Sequence, residues 1–208
     1  MADSFRLYLV TDRQRTAGRP LLDVVEAALR GGVDAVQLRE KDLAGHALFE
    51  LATQLCALCR RYGARLLIND RVDIALAVHA DGVHLPATSF NPRDARCLLG
   101  PAAIIGASTH TLDEARGAQE NGADFVVFGP IFDTPSKRGF GPPVGLETLT
   151  QATRAVALPV IAIGGITADR VAAVRAHGAR GVAVVAAILE APDPCAAAQA
   201  LRSAVSNR

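Results

Sequence analysis

The sequence predicts a single-domain (β/α)8 barrel over residues 1–208, and three observations carry that reading. Eight short apolar runs recur along the chain: LYLV at 7–10, AVQL at 35–38, RLLI at 65–68, GVHL at 82–85, IIGA at 104–107, FVVF at 125–128, VIAI at 160–163 and GVAVV at 181–185. Most are continuous rather than alternating, as expected of strands buried on both faces of a parallel sheet. The stretches between them are rich in Ala and Leu at helical spacing, so strand and helix alternate along the chain. The rival architecture is a doubly wound open sheet. It lacks its G-x-G-x-x-G fingerprint here, because the first run leads into Thr11, Asp12 and Arg13.

The first strand is followed by a helix on which Leu21, Val24, Val25, Ala28 and Leu29 share one face. Gly31 is expected to close it in a left-handed C-terminal cap, as Gly63, Gly100, Gly122 and Gly178 are expected to close later helices. The second strand leads to an apolar helical stretch at 48–58, which carries Cys56 and is followed directly by Cys59. No second C-x-x-C or His pair completes a zinc set, so these two read as buried core thiols. After the fifth strand, Thr111 and Glu114 carry the spacing of a capping box, and after the seventh Thr167 is a candidate cap. Pro192 and Pro194 punctuate the entry to a last helix at 195–205.

Half of the 208 residues are apolar, 21% are charged and the net charge is +1. This composition supports one full core and excludes a disordered chain. The near-zero charge argues against a nucleic-acid partner. The longest apolar run, 181–189, is far short of a bilayer span, and charges interrupt the first residues before a signal-peptide core could form. A cytoplasmic protein without a membrane partner is expected, and a homodimer is left open. Of the 22 basic residues, 20 are Arg and only Lys41 and Lys137 are Lys.

In such a barrel the active site lies at the C-terminal ends of the strands. Gly164 and Gly165 follow strand seven, and a small-residue turn at Val185 and Ala186 follows strand eight. A glycine pair lets backbone N–H groups approach an anion, and loops seven and eight are the recurrent phosphate site of this architecture. Arg39, Lys41, Lys137 and Arg138 face Asn69 and Asp70 across the mouth, which suits a second anionic group, a diphosphate with a metal on Asp70. Residues 134–143 are rich in Gly and Pro and follow a strand end, so they read as a flap over the site. His110 lies just past strand five and is the best-placed proton shuttle. His84 lies inside strand four and points either into the barrel or toward a helix, while His46, His79 and His177 read as helix-surface residues.

With the strand ends assembled, the chain resembles the thiamine phosphate synthase and thiazole tautomerase superfamily over nearly its whole length. The motifs are YLVTDR at 8–13, VQLREK at 36–41, INDR at 68–71, ADGVHL at 80–85, GASTH at 106–110, FGPIFDTPSK at 128–137 and PVIAIGGI at 159–166. The resemblance implies a (β/α)8 barrel and thiamine biosynthesis. One branch joins hydroxymethylpyrimidine diphosphate to a thiazole phosphate, releases pyrophosphate and uses Mg²⁺. Carried over to this chain, Gln37, Arg39, Lys41, Asn69, Asp70, Ser108 and Lys137 would hold the pyrimidine diphosphate, and Asp70 the metal; Thr134 is a further substrate-binding candidate. Gly164, Gly165, Val185 and Ala186 would hold the thiazole phosphate. The other branch, the tautomerase, shifts a proton on a thiazole carboxylate phosphate without a cofactor, using a His that matches His110.

Two departures separate the branches. The synthase pattern has an Asp after strand four that helps hold magnesium, whereas here Pro86, Ala87, Thr88, Ser89 and Phe90 bring no carboxylate. The pattern also has a Ser after strand eight where this chain has Ala186. The residues therefore rank a tautomerase first, with His110, Ser108 and Lys137 as candidate catalytic residues. A synthase ranks second and a non-catalytic barrel that binds thiamine phosphates third.

Overall fold

A computed structural model describes residues 5–134 and 142–206. Eight parallel strands close into a barrel in sequence order: β1 (Leu7–Val10), β2 (Ala35–Leu38), β3 (Arg65–Asn69), β4 (Gly82–Leu85), β5 (Ile104–Thr109), β6 (Phe125–Phe128), β7 (Val160–Ile163) and β8 (Gly181–Val184). Around them, among the described residues, lie α1 (Leu21–Arg30), α2 (Gly45–Arg61), α3 (Val72–Ala77), α4 (Pro92–Leu99), α5 (Leu112–Glu120), α6 (Gly145–Ala155), α7 (Val171–Ala176), α8 (Ala186–Leu189) and α9 (Pro194–Ser206). No helix among the described residues is long and apolar enough to cross a membrane.

Strand side chains alternate between the barrel interior and the helices, which divides the core in two. The larger cluster fills the ring between sheet and helices, and the face expected for α1 is buried in it: Leu21, Val24, Val25, Ala28 and Leu29. The smaller cluster fills the barrel itself with Tyr8, Val10, Ala35, Leu67, Phe125, Val127, Ile161 and Ala183, and Phe5 plugs its lower end. Phe5 packs tilted on Tyr8 and edge-on to Phe125, with ring centroids 4.9 and 5.0 Å apart.

The lower rim is fastened by one device used three times. The residue before β2, β4 and β6 is an aspartate, and each carboxylate accepts an N–H from the first or second residue of the preceding strand. Asp34 receives Leu7 N–H at 2.9 Å, Asp81 receives Leu66 N–H at 2.9 Å and Asp124 receives Ile105 N–H at 2.7 Å. An arginine neutralises each one: Arg202 on Asp34, Arg65 on Asp81 and Arg96 on Asp124. Buried backbone donors at a strand start are thereby satisfied at the end of the barrel away from the mouth.

Several local expectations hold in detail. Thr111 and Glu114 form both bonds of the capping box of α5. Cys56 and Cys59 are free and buried on α2, and burial pushes the Cys59 thiol up to about 12. Two expectations need correction. Gly31 is right-handed with φ −78°, and the left-handed turn falls one residue later at Gly32, φ +98°. Thr167 precedes a short 3-10 turn, but its hydroxyl accepts no capping bond from that turn's backbone.

Candidate active site

Going up the barrel by two residues from the inner apolar layer leads to a polar layer. Gln37 follows Ala35, Asn69 follows Leu67 and Ser108 follows Gly106, so all three keep the inward parity. Gln37 is buried and donates from Nε2 to the Tyr8 hydroxyl at 3.1 Å. Burial pushes the Tyr8 phenol far up, so it stays neutral. His84, left open by sequence, points into the barrel. Its Nε2 lies 2.8 Å from Ser108 Oγ, and its ring packs near Tyr8 and Phe125 with centroids 6.1 and 5.9 Å away.

Burial, and secondarily the Arg39 charge, push His84 down to about 3. In the unfolded chain the same imidazole titrates near its ordinary value of about 6.5. Between these values the unfolded state binds a proton that the folded state refuses. Stability is therefore fully present above the unfolded value and is lost as pH falls toward the folded one, by up to about 1.4 kcal/mol per pH unit. Denaturant unfolding at neutral and mildly acidic pH is expected to show this slope, and His84→Gln to flatten it. Equal slopes in both proteins would exclude His84 as its source.

The cations of the upper rim divide into two groups. Arg13 pairs with Glu40 at 3.2 Å and with Asp42 at 2.5 Å, and its backbone N–H also meets the Glu40 carboxylate. The guanidinium holds the Asp42 carboxyl down at about 2. Arg15 pairs with Glu190 at 2.5 Å, Arg71 with Asp73 at 2.6 Å, and Arg19 donates to the Leu189 carbonyl at 2.8 Å. These four brace the loops. Arg39 and Lys41, by contrast, have no side-chain bond to any described residue. Arg39 is fixed through its backbone, whose N–H donates to Thr11 Oγ1 at 2.9 Å.

Asp70 stands at the end of β3 with φ +66°, a left-handed conformation costly for most side chains and best tolerated by Asp and Asn. Its N–H donates to the His84 carbonyl at 2.9 Å, and its carboxylate accepts the Ser89 hydroxyl from the loop after β4. The residue from that loop that meets Asp70 is thus a neutral oxygen donor. Among the described residues no group of three or more His, Cys, Asp or Glu could hold a metal by itself.

Across the mouth, Gly164 and Gly165 both have positive φ, +101° and +62°. A Cβ on Gly164 would lie 2.5 Å from Pro130 Cα, so this glycine also serves close packing. Val185 precedes α8, so the N–H groups of Ala186 and Ala187 have no partner within the helix. His110 sits exposed where the loops after β5 and β6 meet, with Nδ1 2.5 Å from the Gly129 carbonyl. A carbonyl only accepts, so Nδ1 is the donor in this contact. Lys137 and Arg138 lie outside the described residues, as does most of the 134–143 stretch, of which only Thr134, Pro142 and Pro143 are described. A cavity of about 300 Å³ opens between the loops after β4 and β5 and the flank of α5, lined in part by Ser89, Phe90 and Ser108. A second, of about 480 Å³, lies against Arg13, Leu21 and Leu51 outside the mouth.

The model of one protein family, described as thiamine monophosphate synthase, matches residues 7–188. The chain belongs to the thiamine monophosphate synthase family. It is 50% identical to a putative thiamine-phosphate synthase of Geobacter sulfurreducens, over 98% of this chain and 96% of that one. A thiamine-phosphate synthase of Roseiflexus castenholzii is 47% identical over 97% of this chain and 89% of its own. Among solved structures, a thiamine phosphate pyrophosphorylase of Pyrococcus furiosus superposes with TM-score 0.88 at 38% identity, covering 97% and 95% of the two chains. A 3-hexulose-6-phosphate synthase matches at TM-score 0.70 and 19% identity, covering 97% of this chain and all of the other, which shows the fold alone.

Family membership makes the chain an enzyme of thiamine biosynthesis and reverses the order of the two catalytic readings. The missing strand-four carboxylate and His110 favour the tautomerase, yet the two relatives at 47% and 50% identity bear the thiamine-phosphate synthase name. Of the site residues expected from sequence, the structure gathers Gln37, Arg39, Asn69, Asp70 and Ser108 over β2 to β5, and Gly164, Gly165, Val185 and Ala186 over β7 and β8. Sequence reasoning missed Tyr8 beneath Gln37, Ser89 on Asp70, and the contact of His84 with Ser108. Strand parity carried a signal for Tyr8 and His84, since both share the inward set. Nothing in the sequence ties Ser89 to Asp70.

Proposed function

We propose that the chain is a thiamine-phosphate synthase, joining hydroxymethylpyrimidine diphosphate to a thiazole phosphate with release of pyrophosphate. The observation that carries this is the near full-length identity, 47% and 50%, to relatives that bear the synthase name. The site suits the chemistry. The bond from the pyrimidine's methylene carbon to the diphosphate breaks, a bond from that carbon to the thiazole ring forms, and negative charge collects on the departing pyrophosphate. Arg39 and Lys41, without described side-chain partners, meet that charge, and fixed cations are most effective where charge develops. Lys137 completes the diphosphate set by resemblance, and Thr134 is a further substrate-binding candidate. Gln37, Asn69 and Ser108 on the floor hold the pyrimidine. The glycine pair and the start of α8 hold the thiazole phosphate through backbone N–H groups.

Magnesium, which the family resemblance implies for this reaction, fits the donors present. Asp70 and Ser89 offer hard oxygens side by side, and Mg²⁺ is commonly held by one or two carboxylates together with substrate phosphates. Asp70, Ser89 and the diphosphate oxygens would hold it. When bound it would neutralise diphosphate charge and ease departure of pyrophosphate. Joining the two rings needs no proton shift, so His110 acts in this reading as a brace on the Gly129 carbonyl.

The test is to supply both phosphorylated substrates with Mg²⁺, and separately the thiazole carboxylate phosphate alone. Coupled product in the first mixture is expected. Aromatisation in the second without coupling in the first would overturn the proposal.

A further inference from the structure

The buried pair formed by His84 and Ser108 has a direction. His84 is 2% exposed, and its two ring nitrogens face different surroundings. Nε2 meets Ser108 Oγ at 2.8 Å, whereas Nδ1 has no hydrogen-bond partner. Nδ1 faces Gly106, the residue beside His84 in the β4–β5 ladder. A Cβ on Gly106 would lie 2.8 Å from Nδ1, so a Cα–H of this glycine points at the nitrogen. Glycine at 106 gives the imidazole its room, and Ser108, two residues along the same face of β5, receives it.

A neutral imidazole carries one N–H. On Nδ1 that donor would point at a methylene group, buried and unpaired, and would bear its full desolvation cost. On Nε2 it donates to Ser108 Oγ, and the Nδ1 lone pair then faces a weakly positive Cα–H, a tolerable contact. The second arrangement uses the donor and leaves only an acceptor poorly satisfied. Tyr8 and Phe125 hold the ring in place.

We infer that His84 is a positioning residue: its Nε2–H donates to Ser108 Oγ, so that the Ser108 hydroxyl hydrogen is presented to the mouth as a donor to an electron-pair-bearing atom of the substrate. In the opposite orientation the imidazole would accept from Ser108 and make its oxygen the more nucleophilic atom, as in a serine–histidine pair. The geometry assigns Ser108 to recognition and removes it from covalent catalysis. The inference rests on the synthase reading for the identity of the substrate, a pyrimidine diphosphate, but the orientation itself does not.

Two measurements test it. Proton–nitrogen NMR spectra of isotope-labelled wild-type protein, recorded without substrate, are expected to show His84 neutral with its proton on Nε2. A proton on Nδ1 would overturn the inference whatever the enzyme turns over. In the coupling assay, His84→Leu is expected to lower kcat roughly tenfold, the scale of a misplaced contact. His84→Gln, whose amide can place an N–H near Nε2, should recover most of that loss. In a Ser108→Ala background, His84→Leu should cost little more, because the two residues act as one unit. Independent, multiplying losses in the double variant would contradict the role even if both single variants were slow. Wild-type protein that forms no coupled product would count against the synthase reading alone, with the NMR result still deciding the orientation.

Discussion

Asp70→Gly is expected to leave the protein folded and to lower kcat/KM for the coupling reaction at least about a hundredfold. The two halves of this expectation come from different parts of the same residue. The backbone of Asp70 is left-handed, φ +66°, and glycine enters that region without steric cost, so unfolding should occur at the wild-type temperature or above it. The side chain is the one carboxylate that the ends of β3 and β4 bring to the mouth, and the loop after β4 offers it only the Ser89 hydroxyl. With no second carboxylate from those two strand ends to share the load, added Mg²⁺ should not restore the rate. Thermal unfolding and steady-state kinetics on one preparation check both halves. Activity within about threefold of wild type would remove Asp70 from the site.

Gly164→Ala is expected to lower both stability and affinity for the thiazole phosphate. At φ +101° an alanine is strained wherever it sits, and here its Cβ would lie 2.5 Å from both Pro130 Cα and Pro130 Cβ. Backbone cannot yield as the end of a flexible side chain can, so the overlap should cost roughly 2–4 kcal/mol. For a domain of this size that is a fall in Tm of roughly 4–16 °C. The loop that carries the strain also carries the glycine N–H groups, so KM for the thiazole phosphate should rise while KM for the pyrimidine diphosphate changes little. Calorimetry and the two KM values measure these. An unchanged Tm would show that the turn is not packed as described.

The barrel was legible because its signal is repetitive. Continuous apolar runs recur eight times, and the strands fall on them to within two residues at either end. The largest difference is β5, which extends over Ser108 and Thr109. Polar residues there looked like a strand end, yet the ladder continues to Thr109 opposite Phe128. The bottom aspartates were equally visible as letters, but their use as acceptors for a neighbouring strand depends on register, which no local pattern states. The rim shows the same limit. Arg13 and Arg39 look alike in sequence, both just past a strand, and only the placement of Glu40 and Asp42 makes one a brace and leaves the other without a described partner. The order of the two branches turns on a related limit. In sequence the missing strand-four carboxylate reads as the loss of a metal ligand, and only folding shows that the Ser89 hydroxyl of that loop meets Asp70.

The central claim is that this mouth couples two phosphorylated rings. Pyrophosphate release, followed with each substrate alone and with both, bears on it most directly. The expected result is release only when both substrates and Mg²⁺ are present, one pyrophosphate for each coupled product. Release from the pyrimidine diphosphate alone, or no release while the thiazole carboxylate phosphate is aromatised, would contradict it.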